Sequence, residues 1–118
     1  MKFSQYLTIT ILVVIFIYSS EYVSVSRHEY AHKQIFSYYG YNSTIEIDLL
    51  KLEGATTPTT EIPEEDWREL RFLHSLNEIF SYNCLSIRLI LYMILYIVLI
   101  IAVIVANIHH QLIDYWFR

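Results

Sequence analysis

At 118 residues with a formal charge of −4, the chain is one domain's worth of protein, and nothing in it makes the basic stripe that nucleic-acid binding needs. Its apolar residues, 55% of the total, gather in runs too long for a soluble domain of this size, which must keep one face for water. The single cysteine, Cys84, excludes an internal disulfide.

The first run extends from Phe3 to Ser20, with an apolar heart from Tyr6 to Tyr18 (YLTITILVVIFIY) and Lys2 ahead of it. Length and flanks predict a first transmembrane helix over residues 3–20. The rival reading is a signal peptide, for which Ser19 and Ser20 offer only a weak small-residue cleavage site.

Residues 21–84 form the segment between the spans. Glu21 to Gly40 holds no proline and no internal glycine, so it predicts a helix continuing from the first span and stopping at Gly40. Glu21, Val25, His28, His32, Ile35 and Tyr39 recur at steps of three or four and share one stripe. Thr44 to Leu52 (TIEIDLLKL) alternates apolar and polar residues, the period of a half-buried strand. Glu53-Gly54 reads as a turn, and ATTPTTEIP as a loop ending in Pro63. Pro63 followed by Glu64, Glu65 and Asp66 suits a helix N-terminus, and Trp67, Leu70, His74, Asn77 and Ser81 would share its inner face.

The second run, Leu89 to Ala106, is free of charge and about 27 Å long as a helix. A second transmembrane helix is expected over residues 85–108, followed by an interfacial tail, residues 109–118, carrying His109, His110, Tyr115, Trp116 and Arg118. The expected fold is a mainly α membrane protein: two transmembrane helices flank a juxtamembrane α/β segment of one helix, one short strand or hairpin, and a second helix. The lipid bilayer is the expected partner, in a multi-pass protein whose orientation stays open. Lys and Arg counts weakly favour a cytoplasmic middle segment, and the sequon Asn42-Ser43-Thr44 argues the other way. Tyr92 and Tyr96, one turn apart, mark a helix-packing face through which transmembrane helices could also form a homo-oligomer.

His28-Glu29-Tyr30-Ala31-His32 spells HExxH. On a helix, positions four apart lie about 40° apart around the axis, so two imidazoles converge on one metal while the glutamate stands beside it as a general base. A catalytic zinc needs a third protein ligand and an open fourth position. The rival reading makes His28 and His32 polar residues at the headgroup level and Glu29 a solvated helix charge.

Two short stretches carry a family resemblance. His28 to Gly40 (HEYAHKQIFSYYG) resembles the site-2-type intramembrane metallopeptidases, in which HExxH is followed twelve residues after its first histidine by a glycine, and then by a strand. That family's later Leu-Asp-Gly motif is missing, and the one late aspartate is Asp114. Asn77-Glu78-Ile79-Phe80-Ser81 is similar to the Asn-Glu-x-x-Ser signature of thermolysin-like gluzincins, and that resemblance implies Glu78 as the third zinc ligand. His74, one turn ahead of Glu78, is expected either as an alternative ligand or as a catalytic oxyanion donor. Tyr38, Tyr39, Tyr41 and Tyr82 are further oxyanion candidates. The resemblance implies a membrane-anchored zinc metallopeptidase with His28, His32 and Glu78 on the metal, Glu29 as general base and a membrane-proximal peptide as substrate. The alternatives are a two-span interaction or structural subunit without chemistry, and an inactive zinc-binding homologue.

Overall fold

A computed structural model of the chain describes residues 3–116. Four elements follow in order: α1 (Phe3–Tyr38), β1 (Ser43–Asp48), β2 (Glu53–Pro58) and α2 (Glu64–Trp116). The chain is therefore mainly helical, with two long apolar helices and a small antiparallel hairpin between them. Both helices are long and apolar enough to cross a membrane. Neither breaks where its apolar run ends, because no proline or glycine interrupts residues 3–38 or 64–116. The tail expected from residue 109 is the last part of α2 as far as Trp116; Lys2 and Arg118, the expected terminal flanking charges, lie outside the described residues, as does the side chain of Asp114.

The terminus of α1 has a local cause. Gly40 sits at φ 82°, the left-handed conformation open to glycine, and the Tyr41 N–H donates to the Phe36 carbonyl while the Gly40 N–H donates to that of Ser37. This paired closure satisfies carbonyls that the helix end would leave bare. At the start of α2, the Pro63 carbonyl accepts from the N–H groups of Asp66 and Trp67, and Glu64, Glu65 and Asp66 occupy the positive end of the helix dipole.

The hairpin differs from the sequence expectation. The strand expected from Thr44 to Leu52 ends at Asp48, whose carboxylate accepts from the N–H groups of Leu50 and Lys51 and folds residues 49–52 into a turn. The segment read as a loop from Ala55 contributes Ala55 to Pro58 to β2. Ile45 pairs with Thr56 and Ile47 with Gly54, so Gly54, Thr56 and Pro58 share the less exposed face of β2. At the open end, Thr59 donates both its N–H and its hydroxyl to the Asn42 carbonyl.

Contacts divide the chain into two units, Tyr18–Ser86 and the pair of segments Met1–Ile17 and Ile87–Arg118. In the two-segment unit, Tyr92 is 9% exposed and meets the Phe16 ring edge-on at 6.2 Å, while the Tyr96 hydroxyl lies 3.4 Å from that of Thr10. The face marked by these two tyrosines thus packs on α1 of the same chain. Polar side chains among the apolar runs satisfy themselves locally: Thr8 donates to the Ser4 carbonyl and Asn107 to that of Val103, each one turn back. In the other unit, Leu70 is fully buried and Phe36 nearly so, with Trp67 edge-on to Phe36 at 6.2 Å. These residues form the floor on which the polar cluster described next is set.

Candidate metal centre

The helical spacing of His28 and His32 brings their Nε2 atoms within 3.1 Å of each other. Glu78, from α2, places Oε1 at 3.2 Å from the first and 3.1 Å from the second. The three atoms thus form a nearly equilateral triangle, and together they make a group able to hold a metal ion. A tetrahedral ion with bonds of about 2.0–2.1 Å has ligand-to-ligand edges of about 3.3 Å, close to this spacing. The donor set of two imidazoles and one carboxylate leaves further coordination positions open. On both counts the residues fit a metal.

The groups behind the triangle hold its members in place. His32 uses its other ring nitrogen, Nδ1, in a hydrogen bond with His74 Nδ1. For His32 Nε2 to present a lone pair, Nδ1 must carry the proton, and His74 is then the acceptor. That tautomer leaves the His74 proton on Nε2, a buried atom with no hydrogen-bond partner among the described residues. Burial holds the His74 pKa below the usual imidazole value, the neighbouring His32 adds to the effect, and Glu78 opposes it. His74 therefore lies behind His32, outside the triangle. Asn77 stands against His28 in the same way: its side-chain amide lies 3.2 Å from His28 Nδ1 and 3.3 Å from His32 Nε2, and with the amide turned over its oxygen accepts the Nδ1–H that a metal-bound His28 carries.

Glu29 is 5% exposed, far from the solvated helix charge of the rival reading. Its Oε1 lies 4.0 Å from His28 Nε2, beside the triangle without belonging to it. Its Oε2 accepts a hydrogen bond of 2.7 Å from the Thr56 hydroxyl, which also lies 3.0 Å from the Glu29 carbonyl. Gly54, two residues earlier on the same face of β2, makes room for the carboxylate: a Cβ there would stand 2.4 Å from Glu29 Cγ and 2.9 Å from Oε1. Sequence reasoning missed both residues. The only available signal was Gly54 itself, read as part of a turn, and Thr56 is one of four threonines within six residues.

A cleft of about 460 Å³ opens beside the cluster, between α1, β2 and the first turns of α2. Glu29, His32, His74 and Glu78 line its polar part, and Phe36 and Trp67 its apolar part. Arg71 also reaches it while donating to the Glu64 carboxylate and the Trp67 carbonyl. None of Tyr38, Tyr39, Tyr41 and Tyr82 lines this cleft. Tyr41 instead donates to the Asp66 carboxylate, and Tyr38 and Tyr82 are 85% and 67% exposed. Comparison with protein-family models, with curated proteins and with solved structures gives no match, so the functional argument rests on the residues of this chain.

Proposed function

We propose that this chain is a membrane-anchored zinc metallopeptidase acting on peptide bonds near the membrane surface. The observation that carries the proposal is the joint placement of three ligand atoms in a triangle and a fourth, buried carboxylate beside it at the wall of a cleft. A purely structural ion would need no such neighbour; a hydrolytic one does. The membrane part rests on helix surfaces. Only 6% of each apolar window is buried, whereas the core helix of a soluble fold buries most of its length.

His28 and His32 would hold the ion through Nε2 and Glu78 through Oε1. Zinc in that place would supply Lewis acidity toward water and toward a peptide carbonyl. Glu29 Oε1 takes a proton from the water that attacks the carbonyl carbon and passes it to the leaving nitrogen as the C–N bond breaks. Thr56, holding Oε2, directs the other oxygen to that task. His74 fixes the His32 ring, and Asn77 that of His28.

Elemental analysis of the detergent-purified protein tests the proposal. About one zinc per chain is expected in the wild type and in Glu29→Gln, with loss in His28→Ala and Glu78→Ala. Iron(II) also suits two histidines and a carboxylate, so finding iron would redirect the chemistry. Metal in Glu29→Gln without hydrolysis of fluorogenic peptides, beside a wild type that cleaves them, establishes Glu29 as the base. A wild type that carries zinc and cleaves nothing would leave an inactive homologue.

A further inference from the structure

Residues that connect two antiparallel strands are ordinarily polar or glycine, which tolerate both the turn backbone and water. The turn between β1 and β2 instead reads Leu49-Leu50-Lys51-Leu52. Leu50 is 92% exposed and Leu49 56% exposed, so the leucines are not there to fill a core. Leu52 sits at φ 55°, a left-handed conformation that disfavours any residue with a Cβ and that glycine or asparagine would adopt with less strain. Leu52 itself is half-buried, so the apolar groups held out of the fold are those of Leu49 and Leu50. Lys51 stands out with its side chain 68% exposed and only a 3.9 Å approach to Asp48.

The place of this tip identifies what covers it. The Tyr18 hydroxyl donates a hydrogen bond to the Leu49 carbonyl, pinning the tip to the residue that closes the apolar run of α1. A tyrosine at the end of such a run is the usual marker of the headgroup level. We infer that the hairpin tip is a lipid-binding wedge: Leu49 and Leu50 enter the acyl-chain boundary of the bilayer, and Lys51 reaches back to lipid phosphates. The inference rests on the reading of the apolar runs as membrane spans. Exposed leucines, an adjacent lysine and an anchoring tyrosine form the pattern of interfacial segments. Anchored at its tip, the hairpin presents Gly54 and Thr56 to Glu29 from a support fixed at the membrane surface.

The test uses the full chain in phosphatidylcholine vesicles, with Cys84→Ser as background and single cysteines carrying an environment-sensitive fluorophore at Leu50→Cys, Thr59→Cys and Ile97→Cys. Ile97, 53% exposed in the second apolar run, reports the membrane reading by itself. A nitroxide on the lipid acyl chain near the headgroup should quench the label at position 50 at least about threefold more than that at 59, with position 50 shielded from aqueous iodide. Equal iodide access at 50 and 59, with 97 protected by lipid, overturns the wedge and leaves the spans standing. Iodide access at 97 overturns the spans and the wedge together. A label at 50 shielded from both quenchers points to cover by protein, such as a second copy of the chain, and overturns the lipid assignment.

Discussion

Thr56 and Gly54 act on Glu29 in different ways, and substitution should separate them. Thr56→Val keeps the shape and removes the hydroxyl that binds the carboxylate. A hydrogen bond to a charged group contributes about 1.5–3 kcal/mol, so turnover should fall roughly tenfold or more while metal content stays at the wild-type value. Gly54→Ala drives a methyl group into the Glu29 side chain and should lower stability by about 1–3 kcal/mol, read as a lower denaturation midpoint. Asn77 offers a third separation. Partners behind a metal ligand typically contribute 10- to 100-fold in affinity, so Asn77→Ala should weaken zinc binding by about that factor in a competition titration with a chelator.

The elements differ in how openly the sequence declares them. Both long helices are legible, because apolar runs without proline or glycine have no other stable form, and Gly40 and Pro63 mark a stop and a start that the structure keeps. The second strand was not legible. Its inward residues are Gly54, Thr56 and Pro58, the first two lying beside the Glu29 carboxylate instead of in an apolar core, so the usual alternation of apolar and polar residues is missing. The grouping of His28 with His32 follows from helical spacing alone. Glu78 was reachable only through the Asn-Glu-x-x-Ser resemblance, because its approach depends on how two helices pack.

The ends of α1 and α2 are joined by phenols, and this junction carries a pH dependence. The hydrogen bond to Asp66 is the main cause that raises the Tyr41 pKa; desolvation and the charges of Asp66 and Glu65 add to it. Tyr39 is pushed up to about 12, by desolvation first and then by its hydrogen bond to Glu69. The fold therefore favours both neutral phenols. Their contribution is intact below the unfolded value of about 10 and is lost as pH rises through the folded ones. Thermal melting should show an alkaline decline beginning near pH ~10, and Tyr41→Phe should make that decline shallower.

For the whole molecule, the proposed two crossings would put Ser4 and Ile113 on one side of the membrane and Thr59 on the other. In a Cys84→Ser background, cysteines at Ser4 and Ile113 should react with an impermeant maleimide from one side of sealed vesicles, and a cysteine at Thr59 from the other. Reaction of Ser4 and Ile113 from opposite sides would leave a single crossing. The candidate ligands are also divided between two distant parts of the chain, since His32 and Glu78 are 46 residues apart. An ion gripping both would serve as a removable cross-link, closing a loop whose freedom in the unfolded chain is worth about 4 kcal/mol at 25 °C by the loop-entropy relation used for disulfides. Removing the ion would then do to this chain what a reducing agent does to a disulfide-stapled one: the helices survive, and the register between them slackens.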